Sequence, residues 1–200
     1  VNIGGIINFT LLKGKTKLFA LDIGPGNKLI DEFCIKKFNK DFDDKGNFSK
    51  NGRLLEDLLK LWKKKPFLRY PFPISFDNSF FKLDEFLKKK NINKFDALRT
   101  LTYFTAYQLL NLKLRINLNI DKWIFSGGGV KNKTLMSDIK QFLSNDVVET
   151  TLNYKLNPFF VESQAFAYIA VRTLKKLPSS FPSTTGCLKS TISGNIFMPN

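Results

Sequence analysis

Asp121-Lys122-Trp123-Ile124-Phe125-Ser126-Gly127-Gly128-Gly129 reads as a short buried strand that runs directly into three consecutive glycines. Helical patterns flank it, over 96–114 before and 133–143 after. A strand over 147–150 follows, then a last helix over 158–177 with Pro158 in its first turn, a place that tolerates proline. The chain opens with a β-rich stretch over 3–12. Lys13-Gly14-Lys15 makes a hairpin turn into a second strand over 18–23. Gly24-Pro25-Gly26 then breaks the chain, and a helix is expected from Asn27, with Leu29, Ile30, Phe33 and 35–38 on its apolar face. Residues 41–52 are polar and loop-like. Leu54, Leu55, Leu58, Leu59 and Trp62 form one stripe of a helix starting at Arg53. Pro66, Pro71 and Pro73 predict an extended crossing over 66–73, and a short helix is expected over 83–89.

A hairpin followed by helix, strand, helix, strand, helix is an α/β arrangement, a mixed sheet flanked by helices. In open sheets of this kind ligands sit at the carboxyl ends of strands, which is where the chemistry should be sought.

Composition narrows that chemistry. The 200 residues contain no His, which removes an imidazole base, a Ser-His-Asp triad and any zinc site built on imidazole. Cys34 and Cys187 form no C-x-x-C pair, so a disulfide framework or zinc ribbon is excluded, and two lone cysteines suit a reducing cytosol. The net charge of +15 comes mostly from Lys scattered among abundant Asn, Ile and Phe. That mixture reads as a solvated surface with an A/T codon bias, and nucleic acid is not an expected partner. Lys63-Lys64-Lys65 and Lys88-Lys89-Lys90 fall at helix ends, where they complement the dipole. No run reaches the ~18 apolar residues of a membrane span. Val1-Asn2-Ile3-Gly4-Gly5 opens in mid-strand without a Met, and the chain reads as a piece of something longer.

Seven of the 12 glycines fall in three places, each in or just after a strand: Gly4-Gly5, Gly24/Gly26 and Gly127-Gly128-Gly129. A glycine lets a backbone N–H approach a bulky anion or a flat ring, and helix starts after the second and third groups add positive dipole ends. Singly, each has a plainer account. Gly4-Gly5 fits a bulge in a twisted hairpin, the Asp22-to-Asn27 run fits a tight turn with a helix cap, and the triple glycine fits a turn. Three such groups at strand ends of one α/β domain describe together a phosphate- and nucleotide-lined cleft.

Four ordered motifs carry a resemblance: Asn2-Ile3-Gly4-Gly5-Ile6-Ile7-Asn8-Phe9-Thr10, Asp22-Ile23-Gly24-Pro25-Gly26-Asn27, Gly127-Gly128-Gly129-Val130-Lys131-Asn132 and Glu162-Ser163-Gln164-Ala165-Phe166-Ala167-Tyr168. With Asp43 to Gly52, Pro66-Phe67 and the closing Thr185-Gly186-Cys187, they resemble the anhydro-N-acetylmuramic acid kinase family over essentially the whole chain. Ile7, Ile23 and Tyr168 depart from that pattern, standing where a small residue, Thr and Trp are usual.

The resemblance implies the sugar kinase and actin superfamily, whose two ribonuclease-H-like domains enclose an ATP cleft. Residues 1–200 would be the carboxyl-terminal domain, with the amino-terminal domain upstream. The implied reaction is ATP- and Mg2+-dependent: the 1,6-anhydro bridge of 1,6-anhydro-N-acetylmuramic acid opens and O6 is phosphorylated, giving N-acetylmuramic acid 6-phosphate in cytoplasmic recycling of cell-wall sugars.

Motif by motif, Gly4 and Gly5 resemble the second phosphate loop, and Gly127, Gly128, Gly129 and Asn132 the adenosine motif. Glu162 resembles a helix-borne acid facing the sugar, though a solvated Glu in a helix's first turn would look the same. Asp22, Gly24, Gly26 and Asn27 resemble the turn lining the cleft floor, where a structural role is as good an account as ligand contact. The first phosphate loop and the catalytic Asp are implied before Asn2, so no catalytic base is assigned and the 200-residue piece alone is expected to be inactive. A homodimer is implied for the longer enzyme, with the helix over 96–114 expected to contribute. The alternatives are another small-substrate kinase of the superfamily and an inactive half-domain.

Overall fold

The computed structural model describes residues 1–14, 16–87, 91–182 and 187–197, with 16–18 described through their backbone. Lys15 of the expected hairpin turn, Lys88-Lys89-Lys90, and Thr185 and Gly186 lie outside the described residues.

The amino-terminal hairpin is a three-stranded meander. Strands β1 (Asn2–Ile3), β2 (Ile6–Lys13) and β3 (Thr16–Pro25) pair antiparallel in that order. The first expected strand is divided because the chain reverses at Gly4-Gly5, bringing Asn2 opposite Asn8 and Ile3 opposite Ile7. The glycine pair is therefore a turn, and the irregularities of register fall elsewhere, at Ile7/Asn8 and Leu11/Leu12. Strand β4 (Lys122–Phe125) pairs parallel with β5 (Val147–Thr150). A parallel bridge between Asn2 and Ser126 sets the end of β4 beside β1, with Ile3 N–H donating to the Ser126 carbonyl at 2.8 Å. Across both sheets the strands run β3-β2-β1-β4-β5.

Helix α1 (Asn27–Phe38) starts at the expected residue. The stripe expected from Arg53 begins later, as α2 (Glu56–Trp62), and buries Leu58, Leu59 and Trp62. Pro66–Arg69 is a 3-10 turn instead of wholly extended chain, since proline at the first position of such a turn surrenders no internal hydrogen bond. Helix α3 (Leu83–Phe86) is a single turn. Helix α4 (Lys94–Ile116) is longer than expected because Asn93 caps it, its side chain accepting from the N–H groups of Phe95 and Asp96. Helix α5 (Lys133–Phe142) is capped by Asn132. Helix α6 (Val161–Leu174) starts three residues after Pro158 and buries none of its side chains, leaving Phe166, Tyr168 and Leu174 exposed.

Two hydrophobic clusters meet on α4. Leu98, Leu101 and Phe104 pack with Leu29, Ile30 and Phe33 of α1, with Trp62 of α2 and with Phe86 of α3. Ala106, Leu109 and Leu112 pack with Ile3, Ile7, Phe9, Trp123 and Phe125 of the strands and with Leu135 and Ile139 of α5. Ile7 and Ile23 belong to this second cluster, so those departures from the family pattern are absorbed as packing. Every residue from 97 to 113 is buried or half-buried. Of the 96–114 span expected to contribute to a dimer interface, Leu114 remains exposed.

The link between α4 and α5 is also polar. Arg99 donates twice to the Asp138 carboxylate, at 2.5 and 2.7 Å, with the Asp138 side chain only 6% exposed. Removing the cation strands a buried anion. Arg99→Ala should therefore lower stability by about 3–5 kcal/mol, read as a shifted urea midpoint, with Asp138→Ala less severe because the remaining guanidinium is more accessible.

Candidate functional site

Three stretches far apart in the sequence meet at the start of α1. The Gly26 N–H donates to the Gly5 carbonyl and the Asn27 N–H to the Gly4 carbonyl, both at 2.8 Å, so the first glycine turn closes onto the first helical turn. Asn27 Nδ2 donates to the Ile3 carbonyl at 3.3 Å. From the third stretch, Gly127 and Gly129 press against Ile3, and Gly128 lies beside Asn27.

The space around each glycine divides them by role. A Cβ on Gly24 would lie 2.1 Å from Gln108 Oε1, on Gly26 2.4 Å from the Gly4 carbonyl, and on Gly129 2.3 Å from Ile3 Cγ2. Gly127 adds a backbone argument. At φ +88°, a conformation L side chains avoid, its Cβ would fall 2.5 Å from Asn2 Oδ1 and 2.6 Å from the Ile3 carbonyl. These four are glycine because segments of this protein pass too closely for a side chain. Gly4, Gly5 and Gly128 differ. Their added Cβ atoms would meet nothing nearer than 3.5, 3.4 and 3.6 Å, and none has the positive φ that favours glycine. The fold has room for a methyl group at these three, and they share the entrance to α1.

Buried polar groups of α4 hold the turn from behind. Gln108 Nε2 donates to the Pro25 carbonyl at 2.9 Å and Thr105 Oγ1 to the Gly26 carbonyl at 3.4 Å. Buried carbonyls need such partners, which explains why a core helix carries Thr and Gln here. Asp22 is also held firmly. Its carboxylate accepts from Ser75 Oγ at 2.9 Å and from the Phe76 N–H at 2.7 Å, tying the end of β3 to the chain after Pro73.

Beside the glycines lies a cavity of about 220 Å³ lined by Asn27, Ile30, Asp31, Phe42, Asp43, Asp44, Lys45, Gly128, Lys131 and Asn132. Of the residues expected at a site, it gathers Asn27, Gly128 and Asn132. Asn132 also has a structural duty, its Oδ1 accepting from the Leu135 N–H at 3.0 Å. Asp22 is not in this lining, and Glu162 is exposed in the first turn of α6, outside it as well.

Three acids in the wall were not assigned to a site from the sequence: Asp31, and Asp43 and Asp44 of the 43–52 segment that shares in the resemblance. Asp43 is buried and satisfied, accepting from the N–H groups of Phe48 at 2.7 Å and Ser49 at 3.1 Å. Asp31 accepts no hydrogen bond from any described residue. Burial, with the Asp43 charge adding to it, pushes its pKa up to about 6. Burial and the same acids push the nearby Cys34 thiol up to about 12, so it is not a nucleophile at neutral pH. One signal did exist: Asp31 follows Asn27 by four residues, the spacing that places both on one helix face.

With the arrangement defined, the chain can be compared with known proteins. It is a mixed α/β chain whose strand ends gather glycines beside a helix start, an arrangement that leaves backbone N–H groups open to close approach. A family model described as anhydro-N-acetylmuramic acid kinase matches residues 1–199, and the chain belongs to that family. A Coxiella burnetii protein of that name is 34% identical over 202 residues, covering 98% of this chain and 54% of the relative. Its namesake in Rhodopseudomonas palustris is 34% identical over 186 residues, covering 93% and 50%. That of Aliivibrio fischeri is 30% identical over 204 residues, covering 100% and 56%. The chain thus spans about half the length of the curated relatives it matches. Among the described residues no helix is long and apolar enough to cross a membrane.

Two outcomes follow. Gly127→Ala should lower stability by about 2 kcal/mol or more through backbone strain, whereas Gly128→Ala should change it by about 1 kcal/mol or less, both measured by denaturant unfolding. Asp31→Asn should be more stable than the unsubstituted chain at pH 7.5. The raised folded pKa means that ionisation opposes folding: the penalty is full above about 6 and gone below the ordinary value of 3.8, so the advantage should vanish through that window.

Proposed function

We propose that this chain is the nucleotide-binding, ribonuclease-H-like carboxyl-terminal domain of a two-domain, ATP-dependent kinase acting on 1,6-anhydro-N-acetylmuramic acid. The observation that carries the reading is the set of open glycines, Gly4, Gly5 and Gly128, gathered at the start of α1 with no demand from the fold. A backbone kept bare where its own structure would admit a side chain is suited to a ligand that approaches closely. The β3-β2-β1-β4-β5 order, with an antiparallel meander beside a parallel pair, supports the ribonuclease-H-like assignment. Family membership supports the substrate.

In this reading Gly4 and Gly5 face the β- and γ-phosphates, with the positive end of α1 behind them. Gly128 lies against the nucleoside, and Gly127, Gly129 and Asn132 maintain the loop that carries it. Gly24, Gly26 and Asn27 hold the cleft floor, while Asp22 anchors the neighbouring chain. Glu162, on the exposed first turn of α6, remains the proposed sugar-facing acid. The cradle fits a nucleotide. Among the described residues no three carboxylate or thiol groups are grouped to hold a metal ion by themselves. Mg2+ is therefore proposed as a companion of the nucleotide, bound largely through phosphate oxygens and water.

The proposed reaction breaks the C1–O6 bond. Water supplies the hydroxyl at C1, the γ-phosphoryl group passes to O6, ADP leaves, and the water proton goes to a base that is not assigned within this chain. The setting proposed is cytoplasmic recycling of cell-wall amino sugars, with a homodimer as the working assembly.

The test is an assay of the full-length polypeptide that contains this chain, with ATP, Mg2+ and the anhydro sugar. N-acetylmuramic acid 6-phosphate should form, and Gly128→Ala should raise the KM for ATP while leaving the unfolding midpoint nearly unchanged. Phosphorylation of a different sugar, with the anhydro sugar untouched, would refute the substrate assignment.

A further inference from the structure

Resting on the nucleotide reading above, the arrangement of the cavity beside α1 allows a more specific statement. The cavity of about 220 Å³ is smaller than the roughly 300–1,000 Å³ of a complete small-molecule pocket, a size suited to one part of a nucleotide. Its wall is chemically divided. Gly128, Lys131 and Asn132 form one part, Phe42, Asp43, Asp44 and Lys45 another, and Asn27, Ile30 and Asp31 of α1 a third.

Among the three acids only Asp31 combines partial burial with an unused carboxylate. Asp43 spends both oxygens on backbone N–H groups, and Asp44 is exposed. Two lysines of α1 are engaged elsewhere, Lys28 with Glu32 and Lys36 with Asp84, and among the described residues no ion pair joins Lys37 to Asp31. Asp31 therefore carries its charge at the expense of the fold, facing Asp43 and Cys34 as unfavourable neighbours and sharing its cavity with Asp44, Lys45 and Lys131. A carboxylate can only accept hydrogen bonds, so it repels phosphate and welcomes donors.

Position selects among the donors of a nucleotide. Asp31 lies four residues, ~6 Å of helical rise, beyond Asn27, whose backbone N–H donates to the Gly4 carbonyl of the proposed phosphate cradle. A step of that size leads from the phosphate chain to the ribose, while the amino group of the base lies well beyond it. Two adjacent hydroxyls also match the two oxygens of one carboxylate.

We propose that Asp31 is the ribose-reading residue of this site: its carboxylate accepts the vicinal 2′- and 3′-hydroxyls, so that the protein selects ribonucleotides over their deoxy counterparts.

The experiment is calorimetric titration of the full-length polypeptide with ATP and with 2′,3′-dideoxy-ATP, unsubstituted and as Asp31→Ala and Asp31→Asn. The unsubstituted protein should bind the dideoxy nucleotide roughly tenfold to hundredfold more weakly, the scale of hydrogen bonds to a charged group. Asp31→Ala should lose that factor for ATP and bind the two nucleotides alike, and the closely isosteric Asp31→Asn should fall between. Equal binding of both nucleotides by the unsubstituted protein overturns the assignment and leaves the nucleotide site standing. Undiminished discrimination by a folded Asp31→Ala variant also overturns it. A folded full-length protein that binds neither nucleotide refutes the site itself and the assignment with it.

Discussion

Everything at the functional end of this domain depends on how closely three backbone segments pack around Ile3. Its side chain is wholly buried, its N–H is bonded to Ser126 and its carbonyl receives Asn27 Nδ2. Gly127 and Gly129 stand at distances where no side chain would fit. This contact places the carboxyl end of β4 beside β1. The Gly4-Gly5 turn closes onto the helix start next to it. A small change in the approach at Ile3 would move all three glycine groups together.

Helix α4 supplies the support for that arrangement. An apolar helix could have served the two hydrophobic clusters on either side of it. Instead it carries Thr105 and Gln108 at buried positions, and they bond the carbonyls of Gly26 and Pro25. A tight turn between strand and helix exposes carbonyls that regular structure cannot satisfy, and buried ones must find partners. Arg115 does the same further along, donating to the Leu68 and Tyr70 carbonyls of the proline-rich crossing while lying over the Phe72 ring.

Some positions are not explained by stability. Four of the clustered glycines serve the fold and three are left bare where the fold has room. Asp31 holds a charge that burial disfavours. Helix α6 leaves Phe166 and Tyr168 in solvent, with Glu162 in its exposed first turn. Apart from Asp31, which follows the Asp22-to-Asn27 motif by four residues, these features lie along the stretches that carry the family resemblance.

Much of this was legible in the sequence. Helices α1, α4 and α5 and strands β4 and β5 follow from apolar spacing and from glycine breaks, signals contained within a few neighbouring residues, while the Asn93 cap that lengthens α4 was not read from the sequence. Motif order brought the family into view. Other features were not local. The reversal at Gly4-Gly5 depends on Asn2 and Ile3 finding both β2 and Ser126. The late start of α2, and the 3-10 turn at Pro66, likewise depend on what packs against those segments. At the site the sequence determined which residue types were present: glycines at strand ends, an Asn at the helix start, an acid four residues on. Tertiary structure alone decided which glycines face protein and which face open space, and which acid keeps its oxygens free. Steric room and desolvation are set by atoms from distant parts of the chain, and no local pattern contains them.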